Sequence, residues 1–291
     1  MARAHGDPAA LSSDRAAFLW DPALAAFVYR ADHPLKPRRL IAVHDTLAGL
    51  VAFDRPNSLV LAPRAATIAE IERIHDPRYV AAVRQASDDP GQDYQAWGLD
   101  ASGDTPPFAG MHEASLLTTG GTLRGMEEVL AGRARVAFNG SGGLHHAMRD
   151  HAKGFCIYND PAIVCGLLAD RGMRVAYVDI DAHHGDGVQA AFYDTDQVLT
   201  ISLHESGRSL FPGTGFADER GTGRGAGYSI NAAFPTFTDD PAYGRPFAEV
   251  LSSLGVHSRP DVLVPHPGRC SHLSCTPPPI PVPTPAYAPT H

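Results

Sequence analysis

Apolar positions along the chain follow two periods. Ile68, Ile71 and Ile74 repeat at helical spacing and predict a helix over residues 68–84. The same reading predicts helices over 38–50, 111–131 (closed by Gly132), 161–170, 188–193 and 247–254. Short apolar runs at 136–138, 175–180, 198–203 and 262–264 predict buried strands, whereas 16–31 reads as an entry segment without a strand. Buried strands separated by helices imply an α/β fold with a mostly parallel sheet covered on both faces. The chain shows no internal repeat. In such a sheet ligands gather at the carboxyl ends of the strands, where Asp181, His183 and His204 fall.

The run Tyr177-Val178-Asp179-Ile180-Asp181-Ala182-His183-His184-Gly185-Asp186-Gly187 carries the densest chemistry. Asp181 and His183 are two apart, so in an extended segment both side chains leave on one face. A carboxylate oxygen and an imidazole nitrogen aimed together suit one divalent ion. Asp179 points the same way, where a carboxylate can fix an imidazole tautomer. A solvated acidic turn would need neither both histidines nor this order. Upstream, His145 and His146 stand side by side after Gly142-Gly143-Leu144, on a loop suited to acid/base work near neutral pH. Alone such a pair could equally pack structurally. Together the clusters offer metal ligands and neutral bases, with Asp179 and Asp186 available to orient one imidazole each.

These segments resemble the zinc-dependent histone deacetylase superfamily: GGLHHAM, GFCIYNDPAI from Gly154, VAYVDIDAHHGDGVQ from Val175, ISLHESG from Ile201, FPGTG from Phe211 and HPLKPRRL from His33. GDTPPFAGMHEAS from Gly103 and DGVQAAFYD from Asp186 are most similar to the bacterial acetoin-utilisation type. The resemblance covers residues 16–264 and implies an arginase/deacetylase-like single domain. It implies that Asp181 and His183 are zinc ligands and that His145 and His146 handle protons, with Asp179 and Asp186 as their carboxylate partners. Phe155, after Gly154, and Phe211 are implied as walls of an acyl-lysine tunnel, Asp104 as a rim carboxylate and Arg39 as a channel residue. One potassium site is implied at Asp179, Asp181, His183, Ser202 and Leu203, and a second at Phe192, Thr195, Val198 and Tyr228. The implied substrate is an acetylated lysine or a related acylated small amine.

The pattern departs from the family after Pro260-Asp261-Val262-Leu263-Val264. Family members place a third ligand, an aspartate, just beyond this strand, yet no aspartate or glutamate follows Asp261 here. The loop tyrosine that polarises the substrate carbonyl has no counterpart either, since Tyr287 sits in a proline tract. In an ungapped register Cys270 takes the aspartate position, a competent ligand type at a position that chance alone could supply. Three spans are therefore expected: a flexible 1–15, a deacetylase-like domain over 16–264 that lacks its C-terminal strands, and a proline-rich, disordered 265–291. The chain then reads as truncated or altered, and impaired as an amidohydrolase. The competing readings are a catalytically inactive metal-binding or interaction remnant, a gene product that folds poorly, and an arginase-type binuclear hydrolase, which lacks the HHGDG and GGLHH segments.

Composition narrows the rest. The 291 residues are 44% hydrophobic, enough for a large α/β core. A net charge of −8 argues against general nucleic-acid binding. No apolar run reaches membrane-spanning length, so a cytoplasmic protein without a membrane partner is expected. Four cysteines form no framework, and Cys156 and Cys165 read as buried thiols.

Overall fold

The computed structural model describes residues 14–268. The expected N-terminal arm up to residue 13 and the tail from 269, with Cys270, lie outside the described residues. In chain order the elements are β1 (Ala16–Leu19), α1 (Arg38–Gly49), β2 (Ser58–Leu61), α2 (Ile68–Ile71), α3 (Pro77–Asp88), α4 (Met111–Leu130), β3 (Val136–Asn139), α5 (Asp160–Asp170), β4 (Val175–Asp179), α6 (Asp186–Ala191), β5 (Val198–Glu205), β6 (Ser229–Phe234), α7 (Asp240–His257) and β7 (Val262–His266). The chain divides at Val164/Cys165 into two compact units.

The first unit holds a three-stranded parallel sheet in the order β2-β1-β3. β1 corrects the expectation that residues 16–31 contain no strand. Its four residues, Ala-Ala-Phe-Leu, are too short and too small to show a period, but pairing on both sides makes it the central strand. The helix expected over 68–84 is two helices. Pro77 disfavours helical geometry at the preceding residue, and Asp76 adopts φ −64°, ψ 132° while its carboxylate accepts from Arg78 N, restarting the helix as α3. α4 matches its expected span, and Gly132 follows at φ 67°.

The second unit holds a four-stranded parallel sheet in the order β6-β5-β4-β7. Every position of β4 is buried, as a parallel strand covered on both faces requires. Ala176, Val178, Leu199, Ile201 and Leu203 form an apolar layer against Tyr243, Phe247 and Val250 of α7. Burying side chains of this size stabilises the fold by about 1.5–3 kcal/mol each. The expected α/β architecture with parallel strands is present, its strands falling into two sheets, and β7 runs two residues beyond Val264, through Pro265 to His266. Pro265 is tolerated because β7 ends the strand order among the described residues.

Candidate functional site: a carboxylate–imidazole cluster and a tandem-histidine loop

In the first unit the tandem-histidine loop is held by two residues at the start of α5. Asp160 accepts from Gly143 N (3.1 Å), Leu144 N (2.9 Å) and Thr122 Oγ1 (2.5 Å). Asn159 Nδ2 donates to the carbonyls of His145 (3.1 Å) and Ala147 (2.9 Å), bracketing His146 from both sides. Both histidines are buried, and their ring centroids lie 4.0 Å apart. Gly142 must lack a side chain, because a Cβ would stand 2.5 Å from Asp160 Oδ2. His75, buried and pushed down to about 4 by that burial, accepts from Asn159 N at 2.9 Å and so holds the bracket itself.

The same unit shapes Phe155. Its backbone sits at φ 67°, a left-handed angle that costs a β-carbon residue free energy. Three bonds impose it. Thr105 Oγ1 accepts from Phe155 N (3.0 Å), Tyr29 Oη donates to Phe155 O (2.8 Å), and Asp104 Oδ2 accepts from Gly154 N (3.2 Å). His33 packs edge-on against the Phe155 ring at 4.7 Å and stacks on Tyr29 at 4.4 Å. Arg39 Nη1 donates to Gly140 O at 3.0 Å, beside the histidine loop.

In the second unit the aspartate–histidine run leaves β4 through consecutive Asx turns. Asp179 Oδ1 accepts from Asp181 N (2.9 Å), and Asp181 Oδ1 accepts from His183 N (2.9 Å). These turns, rather than the pleat of an extended strand, bring His183 Nδ1 to 3.0 Å from Asp181 Oδ1. Asp179 is fully buried, and its Oδ2 accepts from Tyr177 Oη at 2.7 Å. Burial and the Asp179 charge push the Tyr177 phenol far above its ordinary range, keeping it a donor. Asp186 is buried at the first turn of α6 and accepts from Gly187 N at 3.0 Å. Phe211, largely exposed, sets its ring edge toward His183 at 6.2 Å.

Residues to which the sequence reading gives no role complete this unit, although it places His204 at a strand end. His266 is buried at the end of β7, in register with Asp179, with Nε2 3.9 Å from Asp181 Oδ2. A second histidine pair, His184 and His204, packs at 4.7 Å under the turn. Burial lowers both, His204 to about 4. His184 bonds to Thr214 Oγ1 (2.8 Å) and Gln189 Oε1 (3.1 Å), and His204 to Ser202 Oγ (2.8 Å) and Gly215 O (3.0 Å). Burial opposes ionisation of Glu219, but donors at Phe216 N, Gln189 Nε2 and Gly215 N outweigh it and hold its carboxyl below the usual range. The network braces the loop that carries Phe211. The HHGDG spacing hinted at His184, whereas Glu219 lies in a segment without motif or period.

Of the residues implied for potassium, Asp179, Val198, Ser202 and Leu203 lie in strands of this sheet, and Phe192, Thr195 and Tyr228 lie in the connections beside them. Ser202 is the ladder partner of Asp179, with Leu203 next to it. Val198 opens β5, Phe192 O accepts from Thr195 N (3.3 Å), and Tyr228 O from Thr200 N (2.9 Å). As a donor set, a buried carboxylate flanked by two imidazoles fits a zinc-class divalent ion, borderline in softness and bound by N and O ligands.

Parallel α/β sheets, a histidine pair on a braced loop and an Asp-x-His turn at a strand end define a deacetylase-type hydrolase scaffold. The histone deacetylase domain family matches residues 33–273, and this chain belongs to that family. It is 40% identical over 258 residues to the acetoin utilization protein AcuC of Bacillus subtilis (strain 168), covering 88% of this chain and 66% of that protein. The histone deacetylase clr6 of Schizosaccharomyces pombe is 34% identical over 252 residues, covering 86% and 62%. The crystal structure of a deacetylase homologue from Aquifex aeolicus superposes with a TM-score of 0.78 at 33% identity, over 86% of this chain and 68% of that one. A deacetylase homologue crystallised with SAHA gives 0.78 at 32% identity, over 87% and 68%. The chain thus spans about two thirds of the length of these relatives. Among the described residues no helix is long and apolar enough to cross a membrane.

Proposed function

We propose that this chain is a zinc-dependent amidohydrolase that removes the acetyl group from acetyl-lysine or a related acylated small amine. The observation that carries this reading is the pairing of buried Asp181 with half-buried His183 just beyond β4, within a chain of the histone deacetylase family. A bound zinc ion supplies a Lewis acid for the amide carbonyl and makes a water acidic enough to attack near neutral pH. His145 or His146, on the loop fixed by Asn159 and Asp160, takes the water's proton as the C–O bond forms. As the C–N bond breaks, the departing amine is protonated by the same pair, leaving acetate and a free amine. Phe155 and Phe211 line the path of the uncharged acyl stem, Asp104 orients the substrate backbone, and Asp179 and Asp186 orient imidazoles. The residues implied for potassium would hold such an ion beside the turn, where it would offset the carboxylate charge of Asp179 and Asp181. The soluble cell interior is the proposed location.

The test is zinc-dependent hydrolysis of a fluorogenic acetyl-lysine peptide, with and without a hydroxamate such as the SAHA bound by the related structure. Hydroxamate-sensitive hydrolysis that falls by about 10²–10⁴-fold in His146→Ala supports the reading. A folded, zinc-loaded chain with no hydrolysis would instead mark the scaffold as a binding remnant.

A further inference from the structure

The network beneath the Asp-x-His turn closes into a ring, and donor–acceptor chemistry fixes its direction. Burial opposes the charge of Glu219, but the donors around it hold the carboxyl below its usual range, so both its oxygens accept. The group 2.7 Å from Oε2 is therefore the amide nitrogen of Gln189, which leaves the Gln189 carbonyl oxygen on the far side. That oxygen stands 2.7 Å from Asn231 Nδ2 and 3.1 Å from His184 Nε2, so His184 Nε2 carries the proton and donates. His184 Nδ1 then accepts from the Thr214 hydroxyl at 2.8 Å. Glu219 Oε1 accepts from Gly215 N at 2.8 Å and Phe216 N at 3.0 Å, which returns the ring to the residue after Thr214. Turning over the Gln189 amide would set donor against donor at Asn231.

One carboxylate thus ties a single loop to the elements around it. Thr214, Gly215, Phe216 and Glu219 belong to the connection between β5 and β6, Gln189 to α6 and Asn231 to β6. His204 of β5 donates from Nε2 to Gly215 O at 3.0 Å, so both backbone polar groups of Gly215 are held. Gly215 sits at φ 88° between the two imidazoles, where a Cβ would strike His204 Nε2 and the His184 ring. Earlier in the loop Ser206 N donates to Phe234 O at 2.8 Å, and Gly213 N to Leu210 O at 3.2 Å. Phe211 lies in a short turn between these tethered points. With 41% of its surface exposed, it depends on that backbone for its position.

We propose that Glu219 is a positioning residue for the substrate: through the ring it fixes the loop that presents Phe211, and so sets how closely that wall fits the acyl stem. The inference rests on the role proposed above for Phe211 in an amidohydrolase. A wall against an unreacting stem contributes alike before and during the reaction, so the effect belongs to binding and to KM rather than to kcat.

Glu219→Gln keeps the side chain's shape but sets an amide donor against the Gln189 amide nitrogen. The double variant Glu219→Gln/Gln189→Glu restores every donor–acceptor pair, with the charge moved one place along the ring. On the full zinc-loaded chain, Kd for a fluorescein-labelled acetyl-lysine peptide should rise about 10-fold in Glu219→Gln, the scale of one lost apolar contact in a pocket. KM should follow it while kcat changes by less than about 2-fold, and the double variant should return both constants to wild-type values. In a Phe211→Ala background, Glu219→Gln should alter Kd by less than about 2-fold, because the two residues act as one. Hydrogen exchange over residues 211–216 should quicken in Glu219→Gln and recover in the double variant. Thermal melts establish that each variant is folded, and Glu219→Asp, which keeps the charge on a shorter arm, serves where Glu219→Gln is not. Unchanged Kd in Glu219→Gln, no recovery in the double variant, or an undiminished loss in the Phe211→Ala background overturns the inference. Peptide bound in this ring-dependent way without hydrolysis defeats the deacetylase reading alone. Hydrolysis indifferent to Glu219→Gln defeats this inference alone, and a folded chain that neither binds nor hydrolyses the peptide defeats both.

Discussion

A neutral imidazole supports the tandem-histidine loop at the level of single residues. Because His75 Nε2 accepts from Asn159 N, the ring must carry its proton on Nδ1. Burial pushes His75 from an ordinary 6.5 to about 4, so between those values the unfolded chain binds a proton that the folded chain refuses. Stability is therefore complete above about pH 6.5 and declines as pH falls toward 4, by up to about 3 kcal/mol from this residue. His204, also held at about 4, adds a loss of the same sign. Urea midpoints measured at about pH 7 and about pH 5 should drop for the wild type and drop less for His75→Gln, which keeps an acceptor but does not titrate. An equal drop in both would contradict the assignment. The sequence made the Asp-x-His run legible because the residue types are rare in that order. It hid His75 and Asn159, whose value lies in contacts to residues far along the chain. His266 was hidden for a different reason: the proline on either side reads as tail until a neighbouring strand pairs with it.

Elements were legible where they are long or fully apolar. α4, β4 and β5 follow from period and burial, whereas β1, β2 and β6 were missed because four to six small or mixed residues become strands only through their partners. Close approach also decides what α4 tolerates. A Cβ at Gly120 would stand 1.7 Å from the Arg64 carbonyl oxygen, in a backbone segment already tied to α4 by Ala66 N and Leu116 O. Gly244 inside α7 has nothing within 4 Å of the same added atom. Gly120→Ala should therefore cost about 2 kcal/mol or more, through displaced backbone, while Gly244→Ala should gain about 0.5–1 kcal/mol from helix propensity. Chemical denaturation of the two variants checks the contrast, and similar behaviour would refute it.

The α/β class of the whole molecule was legible from alternation alone, but its division into two units, each with its own sheet, was not. Sheet membership depends on which short strands pair, and no local pattern encodes that. A consequence for metal binding follows, since the proposed ligands Asp181 and His183 both belong to the second unit. At a free zinc concentration about 100 times Kd, binding should stabilise the folded form by about 2.7 kcal/mol. Hydrogen exchange should slow chiefly in β4, β5 and β7 and much less in β1, β2 and β3. Equal slowing in both units would place the ion elsewhere.

The left-handed backbone of Phe155 has a meaning for how such a protein changes over generations. Glycine would adopt φ 67° more cheaply than any aromatic residue, so this position trades folding stability for the shape of one ring. A lineage under pressure only to remain folded would tend to shed the ring first, and one that keeps it reveals continuing demand for what the ring touches.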